Sequence, residues 1–166
     1  KKKKTREINM NLSEAITVVR HLRDFLKPVT YQFRVAGSIR RRKPEPSDID
    51  IVISPKVSIE EFKKFLTDKI DFYGDTYLRF HFEGVRTQLE ICPPNTKITG
   101  SMMLISTGPH YTNMSMRTAA KNKGMFFNQY GLFVASDNRL ISTKEREIRK
   151  LLGYKRKVYT KNGSVK

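Results

Sequence analysis

The stretch Tyr31-Gln-Phe-Arg-Val-Ala-Gly37-Ser38-Ile-Arg40-Arg41-Arg42-Lys43-Pro-Glu-Pro-Ser47-Asp48-Ile49-Asp50-Ile51-Val-Ile53-Ser54 decides the fold. The run Tyr31–Ala36 predicts a strand that breaks at a glycine turn, and Ser47–Ser54 predicts a second strand. Side chains alternate across a strand, so Asp48 and Asp50 face one side while Ile49, Ile51 and Ile53 face the other. Two carboxylates on one surface repel each other unless a hard cation sits between them. Mg²⁺ commonly uses one or two carboxylates together with substrate phosphates. The turn after Gly37 opens toward backbone N–H groups at a helix start, a natural anion site. The Arg40–Lys43 cluster lies between turn and carboxylates, where cations face the same phosphates.

Outward from this stretch the chain alternates between helical and extended patterns. Asn11-Leu-Ser-Glu14 has capping-box spacing, and Leu12, Ile16, Val19, Leu22 and Leu26 follow at helical intervals up to Pro28. Ser58-Ile-Glu-Glu61 opens another helix, with Ile59, Phe62, Phe65, Leu66 and Ile70 as its apolar face. Thr76–Phe82 and Val85–Cys92 alternate around Glu83-Gly84, a hairpin signal, and Pro93-Pro94 stops the second strand. In that second strand Leu89 and Ile91 point to the core, so Gln88, Glu90 and Cys92 share the other face. Ser101–Ile105 and Thr112–Lys123 read as helices, the latter ended by Gly124. Phe126–Phe133 reads as a strand or turn pair. Ser142-Thr-Lys-Glu145 begins a last helix that buries Ile148, Leu151 and Leu152 and closes at Gly153. Strands with helices between them, not strictly alternating, indicate an α+β architecture.

Composition narrows the partners. The 166 residues carry 33 Lys+Arg against 16 Asp+Glu, a net charge of +17, which implies a polyanion, with nucleic acid ahead of anionic membrane or acidic protein. Lys1–Lys4 reads as a solvated end, and Lys155-Arg156-Lys157 as a second basic run. No apolar run approaches spanning length, so no membrane partner is expected. A single cysteine, Cys92, excludes an internal disulfide and fits an intracellular rather than secreted setting, in cytoplasm or nucleus.

The glycine turn and Asp-x-Asp pair have the layout of a nucleotidyl transferase site. The segment Ser106-Thr107-Gly108-Pro-His-Tyr-Thr-Asn113-Met-Ser-Met-Arg117, continued through Gly124 to Asn128-Gln-Tyr130, resembles the nucleotide-binding subdomain of family X DNA polymerases, the DNA polymerase β group. Every spacing in that pattern is kept. Gly37-Ser38 with Asp48-Ile-Asp50 matches the same family without insertion, and Thr143–Tyr154 matches its closing helix. The likeness covers about residues 8 to 158.

The resemblance implies an α+β fold. A nucleotidyltransferase palm over 8–104, a mixed β-sheet with helices on one face, precedes a small C-terminal α+β nucleotide-binding subdomain over 105–166. It also implies a template-dependent DNA polymerase that adds dNTPs to a primer 3′-OH by two-metal nucleotidyl transfer, serving short-gap filling in DNA repair. Two Mg²⁺ ions, replaceable by Mn²⁺, would sit on Asp48, Asp50 and Glu90, the catalytic carboxylates. Gly37, Ser38, Arg41, Ser47, Thr107, Gly108 and Asn113 would bind the nucleotide, with Ser38 and Arg41 on its β- and γ-phosphates. Asn113 would meet the minor-groove edge of the incoming nucleotide, where acceptors are nearly degenerate and contacts test pair geometry. Arg117, four residues on and on the same helix face, would reach the template strand. Asn128 and Tyr130 would touch DNA or merely shape a turn; Arg40 and Arg42 would be solvated or near the DNA backbone. The expected partners are primer-template or gapped DNA and a dNTP, with the protein monomeric.

Three departures from the family pattern stand out. Glu90 replaces an Asp, moving the carboxylate outward by roughly 1.5 Å, enough to matter where small misplacements cost ~10²-fold in rate. Ile105-Ser106 stands where the family carries an aromatic pair along the deoxyribose, which should weaken exclusion of ribonucleotides. The short run before the first helix and the tight hairpin at Glu83-Gly84 predict neither an N-terminal lyase domain nor the long loop of template-independent members. The chain is in this respect similar to the reduced viral members. The alternatives are a template-independent nucleotidyl transferase, argued by Asp-x-Asp alone, and a non-catalytic basic DNA-binding module, argued by the charge and by Glu90.

Overall fold

The computed structural model of the protein describes residues 10–66, 70–74, 76–93 and 95–155. The first helix, α1 (Leu12–Leu26), starts at the expected capping box. Asn11 Oδ1 accepts from the Glu14 amide at 3.0 Å, and the Glu14 carboxylate accepts from the Asn11 amide at 2.8 Å. It buries Ala15, Val19, Leu22 and Leu26. Ile16, expected in that stripe, is exposed, because Ala15 takes the core-facing position. A 3₁₀ turn at Lys27–Val29 places Pro28 where no helical N–H is needed, and β1 (Thr30–Val35) follows.

The single turn α2 (Gly37–Arg40) then leads to β2 (Ile49–Pro55) and α3 (Ile59–Leu66). The Ser58 hydroxyl and amide both reach the Glu61 carboxylate, at 2.9 and 3.0 Å, ahead of α3. Next come β3 (Ile70–Tyr73), β4 (Tyr77–Phe82) and β5 (Val85–Ile91). Ile70 therefore belongs to a strand and not to the helix face expected for it. Ile70-Asp-Phe-Tyr is rich in β-formers and pairs with β4.

The five strands form one mixed sheet in the order β1-β2-β5-β4-β3, with only β2 and β5 parallel. Helices α1 and α3 cover one face through Leu22, Leu26, Ile49, Ile51, Ile53, Phe62, Leu66 and Leu89, a continuous apolar core. The other face carries the carboxylates and is closed at one end by α4 (Gly100–Thr107), where Ala36, Val52, Cys92 and Met102 cluster.

The rest of the chain is α5 (His110–Asn122), a three-stranded antiparallel sheet of β6 (Met125–Asn128), β7 (Gly131–Val134) and β8 (Leu140–Ser142), and α6 (Glu145–Leu151). Leu104, Met116, Ala120, Phe127, Leu132, Ile148 and Leu152 make its core. The expected division at 104/105 falls inside α4, whose Met102 packs toward the large sheet and Leu104 toward the second core.

Two expectations at the last helix are corrected. Ser142 ends β8 instead of capping α6; its hydroxyl accepts from the Lys144 amide and donates to Glu147 at 2.6 Å. Glu145 is thereby left to pair with Arg40 and Arg149. Leu151 is exposed, whereas Ile148 and Leu152 are buried as expected. The run Lys1–Lys4, Pro94, and Arg156-Lys157 lie outside the described residues.

Candidate active site

Gly37 sits at φ +55, a backbone conformation that a side chain disfavours. A Cβ built there would lie 1.9 Å from Asp50 Oδ2, so the turn and the carboxylate are in direct contact. The Ala36 amide donates to the Asp50 carbonyl at 2.8 Å and fixes this approach. Ser38, just beyond, is buried, and its Oγ has no hydrogen-bond partner among the described residues. A hydroxyl without a partner at the start of an amide-rich turn is chemically suited to donate to an anion.

The parallel register pairs Asp50 with Gln88 and Val52 with Glu90, so Asp50, Gln88 and Glu90 share one face of the sheet. Asp48 lies two residues before Asp50, at the entry to β2. Each outer carboxylate has a partner from β5. Arg86 Nη2 donates to Asp48 Oδ2 at 2.7 Å, and Gln88 Nε2 donates to Glu90 Oε1 at 3.1 Å. Arg79 on β4 in turn donates to the Gln88 side-chain oxygen at 3.1 Å.

Burial and the neighbouring charge of Asp48 push the Asp50 carboxyl up to about 6, with Glu90 adding to the rise and Arg41 and Arg86 opposing it. Burial also raises Glu90, against the Gln88 hydrogen bond. Two residues beyond Glu90, Cys92 is pushed up to about 11 by burial and by the Glu90 charge, which keeps it an inert thiol.

Among the described residues no three acidic, His or Cys side chains converge on one point. The cause is local: Asp48 turns to Arg86 and Glu90 to Gln88. The donor set nevertheless fits a hard divalent cation. All three candidate groups offer carboxylate oxygens, and burial together with the Asp48 charge disfavours ionised Asp50, a penalty that a cation would relieve.

The residues expected on the nucleotide side of the site lie around the α4–α5 junction. The Arg41 guanidinium donates to the Thr107 carbonyl, beside Gly108 at φ +63. Asn113 on α5 donates Nδ2 to the Ile105 carbonyl at 2.7 Å, while its buried Oδ1 has no partner among the described residues. Arg117 is exposed one turn further along α5, and Arg42 and Ser47 are exposed in the connection that leads from α2 to Asp48. Asn128 shapes the β6–β7 turn, its Oδ1 accepting from the Tyr130 amide at 2.8 Å. Tyr130 is exposed at that turn and lines a small cavity with Gln129, Ser106, Cys92 and Glu90.

Arg40 has a task that sequence reasoning missed. Its guanidinium binds the Met103 carbonyl at 3.1 Å, Thr107 Oγ1 at 2.6 Å and Glu145 at 2.7 Å, tying the turn to α4 and α6. Arg86 and Arg79 were also missed as neighbours of the carboxylates, whereas Gln88 was expected on the Glu90 face. The alternation Arg86-x-Gln88-x-Glu90 was the available signal.

Residues 102–158 match the family model of the DNA polymerase beta thumb. No curated protein matches the chain in sequence. Among solved structures it is similar to Leishmania infantum polymerase beta in a ternary P/T complex, at 19% identity and a TM-score of 0.75, over 95% of this chain and 77% of that one. It is likewise similar to the ternary gap complex of the same polymerase, at 20% identity and a TM-score of 0.75, over 93% of this chain and 70% of that one. The chain thus shares the fold of polymerase beta along nearly its whole length, and its C-terminal residues 102–158 match the thumb of that polymerase.

Proposed function

We propose that the chain is a template-dependent DNA polymerase that joins dNTPs to a primer 3′-OH, filling short gaps in DNA repair. The observation that carries this reading is Asp50 and Glu90 on one sheet face against the Gly37-Ser38 turn, with Asp48 beside Asp50. Divalent cations, Mg²⁺ or Mn²⁺, held by those carboxylates would supply the charge that neutralises a triphosphate and lowers the pKa of the attacking hydroxyl. The Ser38 hydroxyl and turn amides receive the β- and γ-phosphates, with Arg41 as their counter-ion. Glu90 takes the proton of the 3′-hydroxyl as the new O–P bond forms and pyrophosphate leaves. Asn113 tests the geometry of the nascent pair, its Nδ2 turning from the Ile105 carbonyl to donate to a minor-groove acceptor. Arg117, exposed on the same helix face, reaches the template strand.

Primer extension on a recessed duplex and on a one-nucleotide gap tests this directly. Products that follow the template sequence support the reading. Homopolymer-like tails would replace it with a template-independent transferase, and binding without extension with a DNA-binding module.

A further inference from the structure

We propose that Arg86 is a resident counter-ion of the carboxylate site, which a divalent cation displaces from Asp48 and which then serves a nucleic-acid phosphate. The inference rests on the proposed metal role of Asp48 and Asp50. Arg86 alternates with Gln88 and Glu90 along β5, so it stands on the same face as the carboxylates. Its Nη2 lies 2.7 Å from Asp48 Oδ2, a charge-assisted contact on an oxygen that a cation shared with Asp50 would need.

The pair is built to open. The Arg86 side chain is 50% exposed and that of Asp48 28%, and an ion pair this solvated is weak. A cation arriving between Asp48 and Asp50 brings two positive charges beside the guanidinium and repels it. The side chain that leaves is half-exposed and free to turn toward solvent. Its planar fork matches a phosphate bidentately, which an ammonium does not. Metal and strand are thereby coupled. A phosphate that draws Arg86 away tightens the cation, and a cation that expels Arg86 tightens the strand, by the same factor.

The test is a titration of Mn²⁺ alone, followed by the electron paramagnetic resonance signal of the free ion. It uses wild type, R86Q, R86K and the same changes in a D48N background. R86Q is expected to bind Mn²⁺ roughly two- to fivefold tighter than wild type, the range set by the strength of a solvated pair. R86K should stay near wild type, and the R86Q gain should vanish when Asp48 is already neutral. Adding a short duplex with a recessed 3′ end and no nucleotide should tighten Mn²⁺ in wild type by more than in R86Q. Binding by R86Q no tighter than wild type would overturn the counter-ion role alone. Absence of Mn²⁺ binding in both wild type and R86Q would overturn the metal reading and this inference with it.

Discussion

The Asp50 carboxyl titrates near 6 because the Gly37 turn packs against it and Asp48 stands beside it. Its folded-state pKa lies above the unfolded value of 3.8, so its contribution to stability is full below about pH 4 and is lost as pH rises through about 6. Above that the ionised group costs up to about 3 kcal/mol in the metal-free protein. D50N is therefore expected to raise the metal-free melting temperature at pH 8 and leave it unchanged near pH 4; a gain independent of pH would contradict burial and the Asp48 charge as the cause. The same substitution should abolish nucleotide addition, and extension at the wild-type rate would remove the metal-site assignment. Glu90 raises a separate question, since Gln88, itself held by Arg79, grips its carboxylate. A shorter Asp would withdraw the carboxylate from that hydrogen bond, so E90D is expected to slow single-turnover chemistry about tenfold, or 1.4 kcal/mol. A faster E90D would show a misfit instead. Equal rates for the wild type and E90Q would mean that the position carries no chemistry.

Among the elements, the one-turn helix α2 controls the site although it is short. It exists because the chain must reverse between β1 and β2, and only Gly at position 37 lets the backbone meet Asp50. G37A adds both a left-handed backbone penalty of about 1–2 kcal/mol and a clash with the carboxylate. Chemical denaturation should show a loss at least that large, and D50A placed on top should recover the part owed to the clash but not the backbone part. Full recovery, or none, would place the strain elsewhere. Elements with a strong local signature were legible in the sequence: α1 has its capping box, α3 its Ser58–Glu61 pair, β4 and β5 their alternation around Glu83-Gly84. The short strands β3 and β8 were not. Four and three residues carry too little periodicity to be seen until a neighbouring strand pairs with them.

Across the whole molecule the net charge of +17 is the property most directly measurable. If the charge serves a nucleic acid, DNA affinity must fall steeply with salt, at a log–log slope of roughly −0.9 for each duplex phosphate neutralised. Fluorescence anisotropy between low and moderate salt gives the slope, and a value near zero would detach the charge from any DNA role. Replacing Lys1–Lys4 with Gln should lower affinity while leaving the single-turnover rate nearly unchanged, since those residues are far along the chain from the carboxylates.

Local chemistry and spacing determined the helices with caps, the alternating strands, and the shared side of Asp48 and Asp50, whereas Glu90 came from the family resemblance and joins them through the parallel pairing of β2 with β5. The local features depend on periodicity and on side-chain–backbone bonds within a few residues, and both are written in the chain itself. Only the tertiary structure decided that Arg40 serves as an internal tie to Thr107 and Glu145, that Arg86 lies on Asp48, and that Gln88 holds Glu90. A guanidinium can choose among water, phosphate and carboxylate. Which one it takes depends on what packing brings within about 3 Å, often from residues distant in sequence.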